Sequence, residues 1–238
     1  MSKKIILLFS LLVLIACSEK KSNKNLEITG YIKGLKKGTL YIQKIKDTSL
    51  IALDTIKING DSHFKSEMNI KEPEMFYLFL DRGVSNSLDN NIVFFAEKGK
   101  INIETSLDFF TSDAKITGSK NHQLYEEYRK VVSRYIDQDL ELIKKRIYAL
   151  KSKNQTQVDS IDELQKNIIK SKYLYTTNFA VNNAKYEVAP YVALAEIYDI
   201  NLKFLDTIQS SLSPKVAKSL YGKKLKKLID ERKTAEGK

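Results

Sequence analysis

The sequence predicts an α+β chain: an antiparallel β-sandwich or barrel over residues 26–118, then an α-helical region over 119–238 containing a long antiparallel helix hairpin. Three observations carry that prediction. Short apolar runs separated by glycine or asparagine turns fill the first part, as closely spaced antiparallel strands require. After Ser119 the apolar spacing changes from two residues to three and four, the period of a helix. A leader of different character stands ahead of both and is set apart from the folded chain.

The leader starts with Lys3 and Lys4 and continues as an apolar stretch from Ile5 to Ala16, broken only by Ser10. A bilayer span needs roughly 20 apolar residues, so this stretch suits the core of a secretory signal peptide instead. It ends in Leu14-Ile15-Ala16-Cys17, the pattern read by the bacterial lipoprotein signal peptidase. Ala16 offers the small residue before the cut, and Cys17, the one cysteine of the chain, offers the thiol for lipid. The expectation is cleavage between Ala16 and Cys17 and a membrane anchor through lipid on Cys17. Two or more acyl chains anchor firmly, at roughly 0.8 kcal/mol for each buried CH2. With that thiol modified, none is left for a disulfide, a thiolate metal ligand or a nucleophile. Residues 17–25 are polar after the cysteine and read as a flexible tether.

Eight strand candidates follow in order: LEITGYIK from Leu26, TLYIQKI from Thr39, LIALDTIKI from Leu50, HFKSEMNI from His63, MFYLFL from Met75, NIVFFAE from Asn91, KINIETS from Lys100 and AKITG from Ala114. Asn59-Gly60 and Lys98-Gly99 are the clearest hairpin signals, since glycine accepts the positive φ of tight turns. In the helical half, Leu140, Ile143, Ile147 and Leu150 share one spacing, and Ile161, Leu164, Ile168, Tyr175 and Phe179 another. These predict two long helices packed together, with the turn over 152–156. Shorter helices are expected from Val188 and Leu202. Ser213-Pro214 caps a last helix with Val216, Leu220, Leu225 and Leu228 inward.

The formal charge is +11. Removal of residues 1–16 takes away Lys3 and Lys4 and no acid, leaving +11 − 2 = +9. Export argues against a nucleic-acid partner. Lys215, Lys218, Lys223, Lys224, Lys226 and Lys227 read as a solvated helix face, with attraction to anionic lipid the functional alternative. The tether lacks an acidic run after Cys17, so a periplasm-facing protein of the bacterial envelope is expected, on either the inner or the outer membrane.

The strand region also resembles a known family. Ile28-Thr29-Gly30 opens the first strand, and Gly38-Thr39-Leu40-Tyr41-Ile42 forms the second. Leu53-Asp54-Thr55 with Asn59-Gly60 and Phe64, then Glu72-Pro73-Glu74, then Phe94-Phe95-Ala96-Glu97-Lys98-Gly99, then Ile116-Thr117-Gly118-Ser119 with Asn121, Tyr125 and Tyr128 follow in order. Together they resemble the N-terminal domain of unknown function 4369, found before the thioredoxin domain of TlpA-like envelope lipoproteins. The resemblance implies structural roles for these residues and no catalytic ones. The family's Cys-x-x-Cys chemistry belongs to the thioredoxin domain, and Thr234-Ala235-Glu236-Gly237-Lys238 resembles the junction leading into it. Two readings stay open: a non-catalytic binding or positioning domain with a thioredoxin-like envelope partner, and a truncated, inactive remnant of such an oxidoreductase.

Candidate chemistry is sparse. His63 and His122, the two histidines, have no ligand spacing around them and read as surface or turn residues. Glu126-Glu127, Asp137/Asp139/Glu141 and Asp162-Glu163 sit among Lys144, Lys145 and Arg146, as helix-supporting ion pairs do. Tyr125, Tyr128, Tyr135, Tyr173, Tyr175, Tyr186, Tyr191, Tyr198 and Tyr221 are expected to pack the helix–sheet interface, with an aromatic groove for peptide or glycan the alternative. Asn154-Gln155-Thr156 matches a glycosylation sequon. No catalytic, cofactor or metal residue is assigned.

Overall fold

The computed structural model describes residues 23–83 and 88–237. Ala16, Cys17 and the rest of the expected leader lie outside the described residues. Among the described residues no helix is long and apolar enough to cross a membrane.

The fold is α+β. Strands β1 (Leu26–Lys33), β2 (Lys37–Lys46), β3 (Ser49–Asn59), β4 (His63–Met68), β5 (Glu74–Asp81), β6 (Asn91–Ala96), β7 (Gly99–Ser106) and β8 (Lys115–Thr117) come first. Helices α1 (Lys120–Lys151), α2 (Gln155–Asn182), α3 (Val188–Glu196), α4 (Leu202–Ser211), α5 (Pro214–Ala217) and α6 (Leu220–Ala235) follow. All eight strand candidates are strands.

The strands form two four-stranded sheets, in the orders β4-β1-β7-β8 and β3-β2-β5-β6. Their facing sides share one core, including Ile28, Leu40, Leu78, Phe94 and Ile101. The pairing is antiparallel except between β1 and β7, which run parallel with Leu26 opposite Gly99. Asn25, the last residue of the expected tether, already belongs to this unit. Its side chain donates to the Ile70 carbonyl at 2.8 Å and accepts from the Ile70 N–H at 2.8 Å.

The second sheet is covered on both faces at β6 and the start of β5, and the sequence of these two strands explains why. Alternation sends Phe76, Leu78, Ile92 and Phe94 into the sandwich. It sends Met75 and Phe95 to the opposite face, into a second core built with the helices. The continuous apolar run Phe94-Phe95-Ala96 is what a doubly covered strand needs. The molecule is therefore three layers: sheet, sheet, helices.

Asn59-Gly60 and Lys98-Gly99 do not make hairpins. β3 pairs with β2 while β4 pairs with β1, and β6 and β7 lie in different sheets. Gly60 and Gly99 do take positive φ, at 97° and 125°. The turn chemistry is as expected, but each turn carries the chain from one sheet to the other.

The helix hairpin forms, with Ser152 closing α1 and Asn154 capping α2 through its side-chain oxygen, 3.1 Å from the Gln157 nitrogen. That use of Asn154 is a sufficient structural account of the sequon. Its packing differs from the expectation. Leu142 and Ala149 of α1 are buried against Val158 and Ile161 of α2. Leu140, Ile143, Ile147 and Leu150 are 52%, 39%, 47% and 48% exposed. The apolar spacing was real, but α1 has two such rows. The row one residue earlier, which includes Asp139, Leu142, Arg146 and Ala149, faces α2. Polar atoms at two of its positions are satisfied there: Gln165 donates to Asp139 at 2.8 Å, and Arg146 donates to Asp162 at 2.6 Å.

The last helix is also divided. After the single turn of α5, Ser219 starts α6 by accepting from the Gly222 N–H at 3.3 Å. A side chain at Gly222 would place its Cβ 2.1 Å from the Val216 carbonyl oxygen, so only glycine permits this closeness.

Candidate functional site

The most concentrated polar chemistry lies where α1 leaves the sheet. Ser119 caps α1, its hydroxyl accepting from the His122 N–H at 3.0 Å. The cap turns His122 inward, where it is 2% exposed. The surface or turn role expected for His122 is therefore wrong. This polar residue is buried where the sheet supplies a partner. The Phe95 N–H points to Nδ1 at 3.5 Å, and Nε2 lies 3.2 Å from Glu126 Oε1 without hydrogen-bond alignment. Desolvation lowers the His122 pKa, against the opposing pull of the Glu126 and Glu97 carboxylates and with the help of Arg129. The lowered pKa favours the neutral ring at neutral pH, and the Phe95 N–H against Nδ1 then leaves the ring proton on Nε2.

Next to it is a second buried polar group. Asn121 accepts from the Val188 N–H at 2.9 Å and donates to Glu97 at 2.7 Å and to Glu187 at 3.2 Å. Glu97 also accepts the Lys120 N–H. One asparagine thus ties the end of β6 to the starts of α1 and α3. Glu187 is 2% exposed, with Lys215 Nζ 3.6 Å from its Oε1, beyond hydrogen-bond length. Buried polar groups hold this way only when mutually bonded, so the cluster fixes how the helices sit on the sheet.

The tyrosines complete the seam. Phe95 meets Tyr125, Tyr191 and Tyr221 edge-on, with centroids 5.9, 5.2 and 6.1 Å apart. The Tyr221 hydroxyl accepts from the Met75 N–H at 2.8 Å. Burial pushes the Tyr125, Tyr128, Tyr191 and Tyr221 hydroxyls above the ordinary phenol range, so they serve as neutral packing groups. Tyr198, just past α3, is exposed, and Tyr135 lies between α1 and α2 instead of at the sheet.

Three concavities matter. A cleft of about 400 Å³ is lined by Tyr77, Val93, Ile116, His122, Glu126 and Arg129. A wider neighbour of about 860 Å³ shares Glu126 and Arg129 with it and adds Arg82, Asp89 and Asp108. His122 lies in the cleft wall with Nδ1 committed to the Phe95 N–H and Nε2 buried beside Glu126. The third is a groove of about 540 Å³ between α1 and α2, with Tyr135, Leu142, Leu164 and Ile168 as its apolar floor and Asp137, Glu141 and Lys145 at its rim.

The remaining sequence candidates are dispersed. His63 is exposed beside Asp61, with Nδ1 2.8 Å from Oδ1, and its two hydrogen bonds hold the Asp61 carboxyl below its usual range. Glu141 pairs with Lys144 at 2.7 Å and Glu163 with Lys166 at 2.7 Å, both well exposed. Among the described residues no group of three or more histidine, aspartate or glutamate side chains could hold a metal ion. The Asn121 and His122 arrangement was missed by sequence reasoning. Its signals were Ser119, a helix cap followed by a polar run over 120–123, and Asn121 within the family resemblance.

Residues 26–125 match the family model described as Domain of unknown function (DUF4369). The match spans β1 to β8 and the first turn and a half of α1, and so includes Asn121 and His122. No curated protein matches the chain.

Proposed function

We propose, from a chain whose residues 26–125 belong to this domain family, that the protein is a lipid-anchored module of the bacterial envelope that binds or positions a partner protein without catalysing a reaction. The groove between α1 and α2 carries this reading. Its floor of Leu142, Leu164 and Ile168 and its charged rim of Asp137, Glu141 and Lys145 have the composition of a protein-docking surface. Leu164 is 53% exposed there, although it falls in the apolar row of α2. Cys17 supports the anchor, and the resemblance to the domain preceding thioredoxin domains supports a thioredoxin-like envelope protein as the partner.

Mild crosslinking and capture of the tagged chain from envelopes tests both halves. The expected result is a thioredoxin-like protein recovered with the native chain and lost with Leu164→Glu, while membrane retention is unchanged. Cys17→Ser should release the protein from the membrane fraction. Retention of Cys17→Ser, or capture indifferent to Leu164→Glu, would overturn the corresponding half.

A further inference from the structure

The second apolar row of α1 has no use in the chain that carries it. Ile136, Leu140, Ile143, Ile147 and Leu150 follow at steps of four, three, four and three, the spacing of a coiled-coil seam. All five are exposed. At about 100° per residue this row points nearly opposite to the α1 residues that line the groove. Helix α1 therefore offers a complete seam to a helix that is not α2.

The charges beside the seam identify the missing helix. On one flank stand Asp137 and then Lys144, and on the other Asp139 and then Arg146, acid before base on both. Laid antiparallel on itself, with Ile136 of one copy against Ile147 of the other and Leu140 against Ile143, the helix brings acid to base on both flanks of these four residues, while at the two ends Leu150 meets Ser133 and Lys151 meets Lys130. Asp137 then faces Lys144, and Asp139 faces Arg146, each twice by symmetry. A parallel alignment keeps one acid–base contact, Asp139 beside Lys144, and sets Arg146 beside Lys151 of the other copy. Asp139 and Arg146 already touch α2, and Lys144 touches Glu141 at 2.7 Å on its own helix. The exposed pair Asp137 and Lys144 is thus the freer of the two to recognise another copy.

We propose that the occupant of this seam is a second copy of the chain, and that two hairpins associate through antiparallel α1 helices into a symmetric dimer. This goes beyond the partner reading, since the groove stays open on the other side of α1. A C2 contact of this kind is self-complementary and closes.

The test uses the full chain in bacterial envelopes. Asp137→Cys/Lys144→Cys, treated with a short bismaleimide, should give a covalent dimer. Asp137→Cys alone should give none, because that flank position faces 144 and not itself. Ile143→Lys in the double-cysteine background should abolish the dimer, with circular dichroism checking that the helices persist. Asp137→Lys should weaken dimer formation at least tenfold in sedimentation velocity of detergent-extracted protein. Asp137→Lys/Lys144→Asp should restore it. A native chain that sediments as a monomer at 100-fold higher concentration overturns the proposal, as does a dimer unaffected by Ile143→Lys. Crosslinking by Asp137→Cys alone overturns the antiparallel register. Asp137 also stands at the groove rim, so Ile143→Lys, which leaves the groove lining intact, separates the two readings: it should abolish the dimer and leave capture through Leu164 unchanged.

Discussion

Phe94 and Phe95 are neighbours in the chain and enter two different cores, one inside the sandwich and one against the helices. Leu142 and Ile143 are neighbours too, yet the first is buried against α2 and the second faces solvent. In β6, consecutive residues point to opposite faces and both faces are covered, so its apolar run finds room for every member. On the helix, consecutive residues stand about 100° apart, and one neighbouring helix covers a single stripe. Excess apolar residues on α1 remain outside. Apolar patterning therefore reports burial where a strand is covered on both faces, as in β6, whereas on the open face of β3 and along the hairpin it reports a capacity for contact, with Leu50 52% exposed.

The sharpest way to test that contrast is to remove the residue where the two cores meet. Phe95→Ala deletes a fully buried ring that touches three tyrosines and leaves a void between sheet and helices. We expect a loss of about 3–5 kcal/mol of stability, measured by urea unfolding. Ile143→Ala, a comparable apolar deletion on the outer row, should cost under about 1 kcal/mol at concentrations where the chain is monomeric. Equal costs would show that the outer row is covered within one chain.

Asn121→Ala comes next. It removes the acceptor of the Val188 N–H and the donor shared by Glu97 and Glu187, leaving buried polar atoms unpaired. A loss of about 2–3 kcal/mol is expected. The sandwich and the helices should separate into two unfolding steps by near- and far-ultraviolet circular dichroism. A single cooperative transition would place the coupling in the tyrosine seam instead.

The eight strands, the helix hairpin and the starts of α3 and α4 were legible in the sequence, because glycine turns, alternation and caps are local signals. The sheet changes at Asn59-Gly60 and Lys98-Gly99 were not. A positive-φ turn reverses the chain but does not choose which neighbour the next strand pairs with, and that choice depends on strands distant in sequence. The site was less legible still. His122 carries no ligand spacing, and its burial follows from the Phe95 N–H, 27 residues away. The α1 seam was visible as a spacing, but only the structure shows which of its two rows α2 takes.

A smaller effect follows from His122. Its folded pKa lies below the ordinary 6.5, so below that pH the unfolded chain takes up a proton that the folded chain refuses. The stability contributed by the neutral ring is present above pH 6.5 and is lost as the pH falls through the unfolded value toward the folded one. Thermal midpoints at pH 7.5 and 5.5 should therefore drop for the native chain and drop less for His122→Gln. The exposed carboxylates with lowered pKa, such as Asp61 and Asp162, act below this window, where their unfolded forms titrate near 4. An equal drop in both proteins would mean that Glu126 offsets the desolvation in full.

The smallest expected effect concerns the polar members of the inner row. Arg146 and Asp162 form an ion pair at 2.6 Å, but their side chains are 40% and 38% exposed. Water screens such a pair, and pairs of this kind contribute about 0–1 kcal/mol. Arg146→Leu with Asp162→Leu would extend the apolar contact of Leu142 and Ala149 across the seam. The double variant should match the native chain to within about 1 kcal/mol in urea unfolding, because gained burial offsets the lost pair. The informative readout is association. If the outer row pairs with another copy, as its spacing and flanking charges indicate, Arg146→Leu removes the base facing Asp139 and the dimer should weaken while the fold holds. A variant that leaves both stability and association unchanged would confine recognition to Asp137 and Lys144. The inner row would then select α2 by shape alone, and the outer flank would select the second copy by charge.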